Sequence, residues 1–131
     1  MILELDCGNT RIKWRLRAGS DIFSCGDFFT RDGLSQLDDE RFSDQSNSID
    51  RVLIGSVLGD DFTKKIANWF LARLNINPEF AESELRCNGV TNGYQHHERL
   101  GVDRWLGILA AKSKTAQACV VIDCGSAMET A

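Results

Sequence analysis

Proline is almost absent from this sequence: Pro78 is the only one in 131 residues. No Pro-rich or other low-complexity linker interrupts the chain, whose length suits one ordinary domain. Long apolar runs are also missing, and none reaches the roughly 20 residues that a membrane span requires. The opening Met1-Ile2-Leu3-Glu4-Leu5-Asp6 lacks a basic start and carries acids within its apolar stretch, so no secretory signal is expected. Excess positive charge is lacking too. Fifteen Lys and Arg face 19 Asp and Glu, a net charge of −4, so attraction to nucleic acid or to an anionic membrane is not expected. The five cysteines (Cys7, Cys25, Cys87, Cys119, Cys124) are odd in number and form no Cys-x-x-Cys pair. That speaks against a zinc site or a disulfide framework. Reduced thiols in a cytoplasmic protein are expected, with Cys7 and Cys124, beside glycines in apolar surroundings, as small buried fillers.

What the sequence does contain is a globular balance, 43% hydrophobic and 26% charged, enough for a core without staples. Residues 1–6 alternate apolar and polar and read as a strand, and Cys7-Gly8-Asn9-Thr10 as a turn. From Arg11 to Arg17, Ile12, Trp14 and Leu16 share one face and Arg11, Lys13, Arg15 and Arg17 the other, the pattern of a half-buried strand. After a turn at Ala18-Gly19-Ser20-Asp21, Ile22 to Phe29 gives a third strand, so the chain opens with an antiparallel meander. The acidic, serine-rich stretch from Arg31 to Asp50 reads as loop, with a short helix around Leu34–Asp38. Arg51 to Val57 suits a buried parallel strand. Asp60-Asp61 open a helix with Phe62, Ile66, Trp69, Phe70 and Leu74 at helical spacing. Pro78 stops it, Glu79–Ala81 forms a short strand, and Cys87 to Gln95 is a Gly/Asn-rich loop with His96 and His97 as loop residues. Leu100 to Lys112 is helical with Leu106, Leu109 and Ala110 inward, and Ala118 to Ile122 is a strand. The fold class expected is α/β, a mixed sheet opened by three antiparallel strands and flanked by helices.

The two ends of the chain repeat each other. Leu3-Glu4-Leu5-Asp6-Cys7-Gly8-Asn9-Thr10 matches Val120-Val121-Ile122-Asp123-Cys124-Gly125-Ser126-Ala127. Each is an apolar strand followed by Asp, Cys, Gly and a small residue. Glycine lets the backbone turn sharply and approach a ligand closely, the N–H groups of such a turn can cradle phosphate oxygens, and an Asp at the strand's end can hold a cation that offsets phosphate charge. A plain hairpin turn would use the same Gly and Asn. Lys13 suits either a reach to phosphate or a solvated strand face. The repeat implies a first domain over 1–117 and, over 118–131, the opening strand and loop of a truncated second domain.

Paired phosphate loops opening two similar domains are the plan of the actin–hexokinase superfamily, with its ribonuclease H-like, actin-like ATPase domains. Within it the sequence resembles the type III pantothenate kinase family. The residues that carry the resemblance are Asp6-Cys7-Gly8-Asn9-Thr10-Arg11-Ile12-Lys13-Trp14, Gly55-Ser56-Val57, Asn92-Gly93-Tyr94, Leu100-Gly101-Val102-Asp103-Arg104-Trp105 and Ile122-Asp123-Cys124-Gly125-Ser126-Ala127. The resemblance implies transfer of the γ-phosphoryl group of ATP, with Mg2+, to pantothenate at the start of coenzyme A synthesis, by a cytoplasmic homodimer. Carried over by position, Asp6, Cys7, Gly8, Asn9, Thr10, Arg11, Ile12 and Lys13 would line the ATP phosphates, with Ser126 as a further ATP contact. Asp103 would be the general base. Tyr94, Gly101, Val102, Asp103 and Arg104 would hold pantothenate, Arg104 being suited to its carboxylate. Asp123 would bind a monovalent cation, K+ or NH4+. From its position alone Asp103 also suits a helix N-cap, and Arg104 a surface ion pair.

The sequence departs from the family pattern after Gly125, where roughly Thr-Ala-x-Thr-x-Asp is expected and Ser126-Ala127-Met128-Glu129-Thr130-Ala131 stands. Ser126 keeps the hydroxyl. Glu129 brings a negative charge near the anticipated phosphates, which is unfavourable, and Ala131 lacks the carboxylate. Two expectations follow: the front half of a pantothenate kinase, inactive by itself, or a non-catalytic regulatory or accessory module derived from the same family.

Overall fold

The computed structural model describes residues 1–124 and 128–130. They fall into two compact units, Met1–Ala81 and Glu82–Ala131. No helix among the described residues is long and apolar enough to cross a membrane.

The first unit is built on a five-stranded mixed sheet. Its strands are β1 (Ile2–Cys7), β2 (Arg11–Ala18), β3 (Asp21–Phe29), β4 (Arg51–Ser56) and β5 (Glu79–Phe80), in the order β3-β2-β1-β4-β5. The first three form the expected antiparallel meander, and β4 pairs parallel to β1 on its other side, Leu3 opposite Val52 and Cys7 opposite Ser56. The alternation of β2 is realised: Ile12, Trp14 and Leu16 are buried, while Arg11, Lys13 and Arg15 are exposed. One face of the sheet is therefore core and the other is charged. On the charged face Glu4 accepts hydrogen bonds from Arg15 and from Arg17, the latter at 2.8 Å. Burial pushes the Glu4 carboxyl up, but the two arginines outweigh it and hold it below the usual carboxylate range.

The crossover from β3 to β4 keeps the short helix expected around Leu34–Asp38, as a 3-10 turn at Leu34–Asp39, but the rest is not the loop the sequence suggested. It winds through 3-10 turns at Thr30–Asp32, Leu34–Asp39 and Arg41–Ser48. Its polar surface hides two anchors, Leu37 and Phe42, both fully buried. Trp14 meets Phe42 edge-on at 5.1 Å, and its indole N–H donates to Glu40 Oε2 at 2.6 Å. β3 makes room for this with Gly26, where a Cβ would lie 2.8 Å from the indole ring and 2.9 Å from Glu40 Oε2. Helix α1 (Asp60–Leu74) covers the same face, burying Ile66 and Phe70, with Phe62, Trp69 and Leu74 packed at its margin. Asp60 and Asp61 in its first turn and Arg73 in its last complement the helix dipole. Asn75 ends it in the left-handed region, at φ 54°.

Cys7 is fully buried, as expected of a filler, whereas Cys124 is exposed, contrary to the expectation for it. Cys7 lies on the core face of a central strand, while Cys124 ends a strand of a two-stranded hairpin. Burial, reinforced by the neighbouring Asp6 charge, pushes the Cys7 thiol up to about 12. It therefore carries no thiolate near neutrality. Brief iodoacetamide labelling of the native chain at pH 8 should modify the exposed Cys25, Cys119 and Cys124 and leave Cys7 unmodified until the chain is unfolded. Mass spectrometry of the digested chain checks this, and labelling of Cys7 as fast as Cys25 would contradict its burial.

The second unit opens with a hairpin of two-residue strands, β6 (Arg86–Cys87) and β7 (Val90–Thr91), inside the expected loop. Its turn is Asn88-Gly89, both at positive φ (49° and 79°), the signature of a tight hairpin. Helix α2 (Val102–Lys114) follows. Its buried residues are Val102 and Trp105, with Ile108 and Leu109 half-buried, whereas Leu106 and Ala110, expected inward, are exposed. The inward stripe thus runs Val102, Trp105, Leu109, and the large indole sets it. The strand expected over Ala118 to Ile122 begins only at Ile122. β8 (Ile122–Cys124) pairs with β9 (Met128–Thr130) alone, outside the five-stranded sheet, and a three-residue partner can define no longer strand.

Candidate functional site

In the Asp-Cys-Gly-Asn-Thr segment, Asp6 and Cys7 end β1 and Gly8–Thr10 form the turn to β2. The Gly8 N–H donates to the Arg11 carbonyl at 3.0 Å, and a Cβ at Gly8 would stand 3.2 Å from that same oxygen, so the turn favours glycine. Asn9 and Thr10 are exposed at the tip. The side chains of Cys7 and Ile12 are in the core, so these two can offer a ligand only backbone. Asp6, Arg11 and Lys13 lie on the opposite, charged face. Lys13 is in register with Asp6 on one side and Asp27 on the other. The Arg11 guanidinium pairs with Asp27 and stacks 4.4 Å from the centre of the Phe29 ring. At the same end of the sheet, the N–H of Val57 donates to the Cys7 carbonyl at 3.1 Å, and Ser56 Oγ accepts from the Leu58 N–H at 3.1 Å. The Gly55-Ser56-Val57 motif thus flanks the turn.

A residue the sequence did not mark also touches this turn. Thr30, just past β3, donates its N–H to the Thr10 carbonyl at 2.9 Å and its hydroxyl to the Gly8 carbonyl at 2.8 Å. Nothing in its sequence context signals this, because the contact depends on the length of the β2–β3 hairpin.

In the second unit, Tyr94 and Arg104 line one cavity of about 340 Å3, together with Thr91, Leu100, Trp105 and Ile108. Its walls are mainly apolar, with a guanidinium and a phenol as polar groups, an arrangement able to take a small ligand that is part aliphatic and part anionic. Asn92 organises the loop. It is 5% exposed, donates its backbone N–H to the Leu85 carbonyl at 2.8 Å, accepts from the Tyr94 N–H at 3.0 Å through Oδ1, and donates through Nδ2 to the His97 carbonyl at 3.3 Å. The Asn-Gly-Tyr motif was its sequence signal.

Asp103 is not the N-cap of α2. Gly101 holds that position with no side-chain cap, and Asp103 lies in the first turn. Its Oδ1 accepts from the Arg104 N–H at 2.9 Å and sits where a Cβ of Gly101 would be, 2.8 Å away. Gly101, Val102 and Asp103 are not among the residues lining the cavity, and Val102 is buried. Asp123 is exposed on β8, opposite Glu129 in the hairpin register. Among the described residues no three His, Cys, Asp or Glu gather in a way that could hold a metal ion. Ser126 lies outside the described residues.

Comparison with known proteins gives a consistent result. The family model described as type III pantothenate kinase matches residues 2–131. A type III pantothenate kinase of Ectopseudomonas mendocina is 36% identical over 130 residues, covering 98% of this chain and 51% of the relative. Those of Pseudomonas syringae pv. syringae and Azotobacter vinelandii are 37% and 36% identical, with the same coverage. The chain spans about half the length of the curated relatives it matches.

Proposed function

This chain belongs to the type III pantothenate kinase family, and we propose that it supplies the phosphate turn, the general base and the pantothenate pocket for transfer of the γ-phosphoryl group of ATP to the pantothenate hydroxyl. The observation that carries this reading is the position of the Gly8–Thr10 turn. It stands at the carboxyl end of β1, the strand that pairs antiparallel to β2 and parallel to β4. In open α/β sheets, ligands bind outside the carboxyl ends of the strands, where the connectivity changes direction. Main-chain N–H groups at such a turn meet phosphate oxygens without bringing a charge that must be desolvated.

In this reading Asp6 to Lys13 line the ATP phosphates, whose charge a bound Mg2+ would offset. Tyr94 and Arg104 hold pantothenate in the cavity they line, its carboxylate on Arg104, and Gly101, Val102 and Asp103 directly precede Arg104 in the chain. Asp103 accepts the proton of the attacking hydroxyl as that oxygen bonds to the γ-phosphorus. The bond to the bridging oxygen breaks, and ADP leaves with that oxygen's electrons. Residues 118–131 open a second domain, where Asp123 would hold a monovalent cation and Ser126 would contact ATP. The working protein is a cytoplasmic homodimer.

A chimera tests this reading. Residues 1–124, which stop before the departures at Glu129 and Ala131, are joined to the remainder of the Ectopseudomonas mendocina relative, from the position matching Gly125 onward. Radiolabelled ATP should then yield labelled phosphopantothenate, as is expected of the intact relative, while the 131-residue chain alone stays at background. A folded chimera without transfer counts against the reading. Robust turnover by the chain alone would show that the cleft needs no second half.

A further inference from the structure

We propose that Thr30 is the positioning residue of the phosphate turn, for the polyphosphate of a nucleoside triphosphate. This inference rests on the reading of Gly8–Thr10 as the phosphate turn. An anion is attracted by N–H groups and repelled by carbonyl oxygens, so a backbone cradle works only if its carbonyls are turned away. Thr30 holds two of them: its hydroxyl takes the Gly8 carbonyl at 2.8 Å and its N–H takes the Thr10 carbonyl at 2.9 Å. In a planar trans peptide the C=O and the following N–H point in opposite directions. Fixing the Gly8 carbonyl toward Thr30 therefore directs the Asn9 N–H away from β3, at the exposed tip of the turn. The third constraint, the Gly8 N–H to the Arg11 carbonyl, fixes the base of the turn. Without the hydroxyl, the Gly8–Asn9 peptide loses the bond that sets its rotation, and a flipped peptide would present an oxygen to the phosphate instead of an N–H.

Two variants separate the hydroxyl from the bulk of the side chain. Thr30→Val keeps the shape and the backbone N–H and removes the hydroxyl. Thr30→Ser keeps the hydroxyl and removes the methyl group. Amide NMR of the full 131-residue chain, titrated with MgATP and separately with inorganic triphosphate, reads binding at Asn9 and Thr10. For both probes Thr30→Val should weaken binding about 3–10-fold, the worth of one positioned hydrogen bond. Thr30→Ser should stay within about twofold of wild type. Wild-type shifts confined to residues away from the turn would overturn this inference and the phosphate reading together. Wild-type shifts at the turn with unchanged affinity in Thr30→Val would overturn the inference alone. An equal loss in Val and Ser would also overturn it, since packing and not the hydroxyl would then be responsible. A well-dispersed spectrum for Thr30→Ser keeps the comparison decisive even if Thr30→Val folds poorly.

Discussion

Asp103→Asn in the chimera is expected to lower kcat by about 10²–10⁴-fold, the usual worth of a positioned base, with the KM for ATP changed less than about threefold. Asparagine keeps the side-chain shape and removes the proton acceptor. The structure makes this a clean substitution. Asp103 does not cap α2, since Gly101 occupies that position, and the bond its Oδ1 accepts from the Arg104 N–H survives with the amide oxygen of Asn. A loss of rate would therefore not be a loss of fold, and thermal unfolding of the variant should confirm that. Glu98 is the nearest acidic rival in sequence. It sits in the 3-10 turn His97–Arg99, exposed, with its carboxylate 3.7 Å from the Nδ1 of both His96 and His97, and Glu98→Gln should change kcat by less than about threefold. Unchanged turnover in Asp103→Asn would remove Asp103 from the mechanism and leave the phosphate turn standing by itself.

Trp14→Ala should destabilise the first unit by about 3–5 kcal/mol, as for a large aromatic removed from a packed core. For a domain of this size that lowers the melting temperature by at least about 12 °C. Trp14 joins three parts of the fold at once. It is a buried residue of β2, it meets Phe42 of the crossover edge-on, and it donates to Glu40 over Gly26 of β3. Trp14→Phe keeps the ring contact and deletes the donor, leaving the Glu40 carboxylate without this bond, so a loss of about 1–3 kcal/mol is expected. Thermal unfolding followed by circular dichroism ranks the three proteins. If Trp14→Ala melts within a few degrees of wild type, the crossover is held by something else.

Where the sequence was legible, a short period did the work. Arg11 to Arg17 alternates strictly and one face must be buried, so β2 and its neighbours follow from the sequence. The helical spacing of Phe62, Ile66, Trp69, Phe70 and Leu74 gave α1 in the same way. The short helix of the crossover was expected around Leu34–Asp38, but its packing was illegible because Leu37 and Phe42 are isolated anchors in a polar stretch, and isolated anchors have no period. In α2 two apolar faces competed, and only the packed unit shows that Val102 and Trp105 lead inward instead of Leu106 and Ala110. The Asn88-Gly89 hairpin was read only as a Gly/Asn-rich loop, because its strands are too short to alternate. At the candidate site the motif residues could be named from the sequence, and the structure brings Tyr94 and Arg104 to one cavity. The bracing by Thr30 could not be read, since it arises from where the third strand ends in space.

The two edges of β1 are filled by partners of very different reach along the chain. β2 can pair as soon as the Gly8–Thr10 turn closes. β4 must wait until the hairpin and the whole crossover are laid down, because Ile2 meets Arg51. Loop closure makes such pairing slow, and its entropic cost is recovered only when distant contacts form together. Leu37, Phe42, Val52 and Ile54 bury themselves in that same late event. On the ribosome the meander therefore emerges with one edge of β1 open and Leu3, Leu5, Ile12 and Trp14 uncovered until the fourth strand is synthesised. During that interval the nascent chain is most exposed to strand-edge aggregation, and a chaperone that shields the open edge of β1 would act there.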